Sequence, residues 1–392
     1  MVAALDGVLI LELTQTLAGP FGAMILGDLG AEIIKIEPPG VRHNLEGGIS
    51  FKDESVYFLA VNRNKKGITL DLKTPEGKEV FLELSKKADV VFDNYRTGVL
   101  EKLGVDYESL RRINPRIISC SITGFGSSGP YRDRPAYDLL VQAMSGGMSI
   151  TGNPPPARAG LPIGDLCGGM FAAHGVLAAL YARERTGKGQ KIEVALLDGQ
   201  IALLTYCVPD FFVSGRAGGP VGIGQRADPT YQMFKTKDEP IVIAIPPGTR
   251  FWESLCRALG VEELASNPRF DSAMKRRDNS SEVTAIIQKK LLTKSAAEWL
   301  ACFLKEGVPA GPVNTIEKAL IDEQVWHQEM VVPVDFGGEA VLLAGNPIKM
   351  SGTDPIYRSP PTFGQHTDAV LSQMLGYSSA KLAELRREKV IE

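Results

Sequence analysis

The chain has 392 residues, enough for two or three domains at roughly 100–200 residues each. It is 44% hydrophobic and 23% charged with a net charge of −3, so it is not a disordered chain and lacks the basic excess that draws nucleic acid or anionic lipid. Glycine is the outlier, 41 of 392 or about 10% against a usual ~7%, which predicts many tight turns or close backbone approaches.

Residues 7–13 (GVLILEL) are predicted to be a buried strand. Ala18, Gly19 and Pro20 read as a turn before a helix over 21–29. A second strand over 31–36 (AEIIKI) is closed by Pro38, Pro39 and Gly40, and a third covers 68–72 (ITLDL). Thr74 as N-cap and Pro75 at the first helical position open a helix that Val80, Phe81 and Leu84 continue. Further strands fall at 88–92 and 116–122. Strands alternating with helices imply right-handed βαβ units and a parallel sheet.

A long apolar helix follows over 168–185, stopped by Gly187 and Gly189 with basic residues in its last turn. A strand at 191–196 and a helix at 197–204 come next. Residues 213–225 (VSGRAGGPVGIGQ) hold five glycines and read as a loop or linker. Residues 231–245 read as a hairpin turning at Lys237, Asp238 and Glu239. Short helices dominate 252–320, a β segment is expected within 341–351, and final helices start near 364 and 379. The fold expected is α/β: a large domain over residues 1–212 with a Rossmann-like parallel sheet, then a smaller α+β domain over 225–330. Residues 331–392 are assigned to a C-terminal segment returning to the large domain.

The N-terminal stretch lacks a basic leader, and no run of about 18 uncharged apolar residues occurs, so neither a signal peptide nor a membrane span is expected. Cys120, Cys167, Cys207, Cys256 and Cys302 are dispersed without CxxC spacing, and His43, His174, His327 and His366 are scattered. No metal site or disulfide framework is indicated, and a reduced, cytoplasmic compartment fits. His174 reads as a core residue of the long helix, and His327 and His366 as structural. Residues 124–129 (GFGSSG) match the G-x-G-x-x-G pattern after a strand, but Pro130 stands where the phosphate-cradling helix should already run. A loop is the better reading.

Residues 162–170 (PIGDLCGGM) carry the chemistry. Asp165 precedes the apolar helix and has two readings. One is a helix N-cap, a contribution of about 1 kcal/mol. The other is an anionic nucleophile, kept ionised by the helix's positive end and given room for a ligand by Gly164, Gly168 and Gly169.

Asp165 in that segment, followed by LAALYARERTGKGQKIEVALLDG over 177–199, resembles the class III CoA-transferases, the formyl-CoA:oxalate and carnitine CoA-transferase family. The resemblance runs through LDGVLILELTQTLAGP (5–20), GDLGAEIIKIEPPG (27–40), NRNKKGITLDLKTPEGKE (62–79), ADVVFDNYRTGVLEKLG (88–104), NPRIISCSITGFG (114–126), VPAGPVNT (308–315) and GQHTDAVLSQMLGY (364–377). Each piece alone is weak, and the ordered set is specific.

The resemblance implies that Asp165 is the nucleophile, carrying CoA as an aspartyl thioester between an acyl-CoA donor and a carboxylic acid acceptor. It implies CoA thioester as substrate, with no permanently bound cofactor. Gln15 stands at a family active-site position that is His or Gln, and Tyr137 and Asp138 match a pair near the nucleophile. Simple helix-start chemistry also accounts for that pair. For CoA, the matching positions are Leu70, Lys73, Asn94, Tyr95, Arg96 and Lys102, cations suiting phosphates and Tyr95 the adenine. Lys73, Arg96 and Lys102 equally suit a plain solvated surface. Pro38 stands where some relatives have an Arg near the adenine. Gly218, Gly219, Gly222 and Gly224 match a loop that covers the site in relatives, against the plainer reading of a linker. An interlocked homodimer is implied, and the hairpin segment resembles the branch using succinyl- or glutaryl-type dicarboxylates. Two alternatives stand beside this reading. An α-methylacyl-CoA racemase would need a His within 134–140, where there is none. A non-catalytic CoA-binding protein would not need Asp165.

Overall fold

The computed structural model describes every residue except 1–2, 42–47, 221, 223, 226–227 and 247–248. His43, Val221 and Ile223 therefore lie outside the described residues. Two compact units form. One comprises Met1–Gly147, Arg158–Arg216 and Gln324–Glu392, and the other Met148–Ala157 and Ala217–Glu323.

In the first unit, six parallel strands make one sheet: β1 (Leu9–Leu13), β2 (Glu32–Glu37), β3 (Lys65–Thr69), β4 (Val90–Asp93), β5 (Ile118–Thr123) and β6 (Lys191–Ala195), in spatial order β3-β2-β1-β4-β5-β6. Both faces are covered, which is why β1 reads as an apolar run broken only by Glu12. Leu9, Leu11 and Leu13 pack with the helix Pro75–Ser85 and the C-terminal helices Thr367–Leu375 and Ser379–Arg387. Ile10, Ile33, Val90, Phe92 and Ile118 face helix α1 (Ala18–Asp28) and a long later helix. The Thr74 hydroxyl accepts from the Gly77 N–H at 3.0 Å, and Pro75 holds the first helical position.

Two local expectations are corrected. Ala18, Gly19 and Pro20 are not a turn but the first turn of α1, where proline's missing N–H goes unused. The third strand lies at Lys65–Thr69 rather than 68–72, because Lys65 is buried with partners of its own and pairs with Ile33. A charged pair at the strand's start disguised it.

The remaining helices that shape the first unit's face are α2 (Asp138–Met144), α3 (Ile163–Thr186), α4 (Leu196–Leu203) and α5 (Cys207–Ser214). Helix α3 has 24 residues and is long and apolar enough to cross a membrane by length and composition, and α4 with α5, bent by 71°, pass the same test only together. Half of α3's most apolar stretch is buried within the unit, and Arg183 near its end is buried and paired with Asp89 at 2.8 Å. That is the packing of a core helix. Near the chain's end, Val331–Phe336 and Glu339–Ala344 form an antiparallel hairpin, earlier than the β segment expected within 341–351.

The second unit holds a four-stranded antiparallel sheet, ordered Ala310–Pro312, Ile241–Ala244, Asp228–Phe234, Gly224–Gln225. Its hairpin runs from Tyr231 opposite Ala244 to Phe234 opposite Ile241. Trp252, Phe270, Trp299 and Phe303 fill the core. At the turn, Asp238 accepts from the Ala296 and Glu239 N–H groups and the Thr236 hydroxyl, which pulls its pKa down to about 2.

Candidate active site

A cavity of about 470 Å³ opens at the C-terminal ends of β1, β4 and β5. In the strand order, β1 and β4 are the neighbours between which the chain's direction of winding reverses, the switch point where open α/β sheets bind ligands. Gln15, Asn94, Tyr95, Arg96, Tyr137 and Asp165 all line it. Six residues chosen from dispersed stretches of sequence therefore meet in one place.

The turn after β1 forms one wall. Thr16 sits in the left-handed region at φ 66°, where a non-glycine residue is strained. The Asn94 side-chain amide clamps the turn reciprocally. Its Oδ1 accepts from the Gln15 N–H and its Nδ2 donates to the Gln15 carbonyl, both at 2.8 Å. Both ends of that amide are thus committed to the turn, and Asn94 shapes the wall through it.

Asp165 stands in the first turn of α3 but is not its N-cap. The cap position is Pro162, and no side chain caps it in the usual way. The carboxylate that receives the helix's free N–H groups is Asp138's: Oδ1 accepts from Gly164 at 2.8 Å and Asp165 at 3.4 Å, and Oδ2 from Gln142 Nε2 at 2.6 Å. Asp138 is buried and lies outside the cavity lining, so it supports the turn that carries Asp165. Among the described residues no hydrogen bond reaches the Asp165 carboxylate, which is half-buried. Burial, and then the like charge of Asp138, push its pKa up to about 6.

The glycines beside Asp165 make room for packing rather than for a ligand. A Cβ on Gly169 would stand 2.5 Å from the Ala18 carbonyl oxygen, on Gly168 2.4 Å from Leu196 Cδ2, and on Gly164 3.0 Å from Asp138 Oδ1. Helix α1 crosses α3 at that point, which fixes the β1–α1 turn and Asp165 against one another.

The other CoA positions are less convergent. Leu70 is buried in the core, with its N–H donating to the Glu37 carbonyl. Lys73 and Lys102 are exposed and do not line the cavity. Tyr95 packs on the core, and burial raises its pKa. Gly218, Gly219, Gly222 and Gly224 belong to the second unit, where the Gly222 N–H donates to the Gly152 carbonyl at 2.9 Å and Gly222 has φ 61°. His174 is exposed on α3 rather than buried in the core, and His327 is exposed also. The Nδ1 of His366 accepts from the Gly67 N–H at 3.1 Å.

Three site residues were not anticipated. Arg132 and Arg134 line the cavity beside Arg96, with the Arg134 guanidinium 3.9 Å over the Tyr131 ring. Tyr57 lies within the field of Asp165 and Asp138, and burial and those charges raise its pKa to about 12. Local sequence around these three resembles surface loop and helix start, so only the meeting of distant segments reveals them.

The family model of CoA-transferase family III matches residues 5–367. The chain belongs to that family. Its members' name fits the class of enzyme that the sequence resemblance implied. An acetyl-CoA:oxalate CoA-transferase of Acetobacter aceti is 42% identical over 91% of this chain and 91% of that protein. A succinyl-CoA:glutarate CoA-transferase of Mus musculus is 37% identical over 99% of this chain and 90% of that one. A crystal structure of a CAIB/BAIF family protein from Brucella suis superposes with a TM-score of 0.84 at 35% identity, covering 95% of this chain and all of that one. That Brucella suis protein thus shares this chain's large parallel sheet and flanking helices.

Proposed function

We propose that the chain moves CoA from an acyl-CoA, of the succinyl type, to a dicarboxylic acid, through a thioester on Asp165. The observation that carries this reading is a half-buried carboxylate with no hydrogen bond among the described residues, lining a cavity at the sheet's switch point. A partly desolvated carboxylate that no donor holds is a better nucleophile than one held by donors. At pH 7 a group of pKa about 6 is still mostly ionised.

An Asp165 oxygen attacks the donor's thioester carbonyl, the C–S bond breaks, and CoA leaves as thiolate from a mixed anhydride. The thiolate attacks the Asp165 carbonyl, the anhydride C–O bond breaks, and the donor acid departs as carboxylate. The acceptor carboxylate then attacks the aspartyl thioester, releasing thiolate, which attacks the acceptor's acyl carbonyl and frees Asp165. Charge is conserved at each step, and no proton moves. Gln15, which lines the same cavity, is assigned to donate to the oxyanions that form. Arg96, Arg132 and Arg134 supply the positive charge that phosphates and carboxylates need. The substrate names of the relatives support a dicarboxylate acceptor.

We assign the working form as a homodimer. Phe212 is 79% and Val213 89% exposed at the end of α5, Tyr206 and Phe211 are exposed on the same stretch of chain, and Tyr181 is exposed on α3. Apolar groups in such number mark a surface that is covered by another chain. A panel of acyl-CoA donors against mono- and dicarboxylate acceptors, read by mass spectrometry, tests the substrate assignment. Transfer to oxalate, glutarate or succinate at rates far above monocarboxylates is expected. Solvent deuterium entering an acyl-CoA α-carbon without CoA exchange would instead favour racemisation.

A further inference from the structure

Beneath the cavity wall lies a cluster of charges that the transfer chemistry does not use. Glu12 in β1, Lys35 and Glu37 in β2, and Lys65 in β3 are all buried, and Glu12 pairs directly across the sheet with Lys35. The Lys65 ammonium donates to Glu12 Oε1 at 3.0 Å, Asn62 Oδ1 at 2.9 Å and the Pro20 carbonyl at 2.9 Å. The Lys35 ammonium donates to the Thr14 carbonyl at 2.8 Å and lies 3.7 Å from Glu12 Oε1. The Thr14 hydroxyl donates to the same Glu12 oxygen, while the buried Glu12 Oε2 finds no partner among the described residues.

Burying four charged groups is costly, and an apolar set of similar volume would hold three strands together at less cost. What apolar side chains cannot do is donate. The two ammonium groups donate to the carbonyls of Thr14 and Pro20, which bracket Gln15–Ala18. That stretch contains the strained Thr16, lines the cavity and, through Ala18, beds the glycines beside Asp165. Among the described residues no side chain caps helix α1, so the two ammonium groups act beside the Asn94 clamp on Gln15 and the α3 crossing at Ala18 in fixing where the helix starts.

We propose that Lys35 and Lys65, joined through Glu12, are positioning residues that hold the β1–α1 turn in the shape the transfer reaction needs. The inference rests on the reading of this cavity as the transferase site. Neither ammonium touches substrate. Their effect is carried by Thr14 and Pro20 to Gln15 and, across the helix crossing, to Asp165.

The test compares Lys35→Met, which removes the donor and keeps the stem, with Lys35→Arg, which restores a donor. Steady-state kinetics with succinyl-CoA, CoA affinity by calorimetry, and thermal melting are measured on the full chain. Lys35→Met is expected to bind CoA within about twofold of the native protein while kcat falls about 10- to 100-fold well below its melting temperature, and Lys35→Arg recovers most of the loss. A native kcat in Lys35→Met overturns the proposal, as does a loss matched by lost CoA affinity that arginine fails to rescue. If Lys35→Met does not fold, Glu12→Gln reads the same split, and native kcat there overturns it. Asp165→Ala run alongside separates the two claims. Full turnover in Asp165→Ala refutes the nucleophile, whereas native kcat in Lys35→Met beside an inactive Asp165→Ala refutes the positioning role alone.

Discussion

Asp165 carries a pKa of about 6 in the folded chain against an ordinary 3.8. Only the carboxylate attacks, so kcat/KM should fall about tenfold per pH unit below 6. A flat profile down to pH 5 contradicts this. Asp138 contributes to the elevation through its charge, so Asp138→Asn should move that acid limb to lower pH, though only part of the way, because burial is the larger cause. The sign for stability runs the other way. A carboxyl whose folded pKa is raised costs stability that is absent below pH 3.8, grows between 3.8 and 6, and is complete above 6. Asp165→Asn should therefore melt a few degrees higher at pH 7.5, and no higher near pH 4, while losing turnover. Asp165 was legible from sequence because its acid and flanking glycines sit within nine residues. Its partner was half legible: Tyr137–Asp138 stood out as a pair, but which of the two faces the cavity depends on the α3 terminus lying 26 residues further on.

Between elements, the crossing of α1 on α3 sets the distance between the two halves of the site. A methyl on Gly169 has no room against the Ala18 carbonyl, and one on Gly22 would lie 2.7 Å from the Gly169 carbonyl oxygen. Gly169→Ala should destabilise the chain by about 1–3 kcal/mol, measured by urea unfolding, and lower kcat as the helices part. The C-terminal segment is tied at the far end of α1. Arg63 is buried and donates to both Asp28 oxygens at 2.8 and 2.7 Å, and Asn346 Nδ2 donates to Asp28 at 3.2 Å. Asp28→Ala strands the Arg63 charge and should cost about 3–5 kcal/mol. A loss below ~1 kcal/mol would show that this staple is dispensable. The strands and helix starts were readable where apolar period and capping residues agreed, as at Leu9–Leu13 and Thr74. They were misread where a rule has an exception. Gly19-Pro20 breaks helices in general but not in a first turn, and Lys65-Lys66 looks unlike a buried strand until Glu12 is seen beneath it.

At the scale of the whole molecule, the two units draw on interleaved stretches of chain, and residues 148–157 leave the first unit's sequence to join the second. The prolines at 154–156 mark a break in the chain but not its destination, which is decided by contacts far away in sequence, such as that of Gly222 with Gly152, 70 positions apart. The exposed apolar residues of α5, with Tyr181 of α3, predict a dimer. Sedimentation equilibrium at micromolar concentration should return twice the chain mass, and a stable monomer would contradict it. Transfer through this site stands or falls on the covalent role of Asp165. The direct measurement is mass spectrometry of peptides from protein incubated with succinyl-CoA and hydroxylamine. A hydroxamate is expected on Asp165, forming only when the acyl-CoA is present, together with loss of activity. A hydroxamate on another residue, or none while transfer proceeds at its full rate, would contradict it.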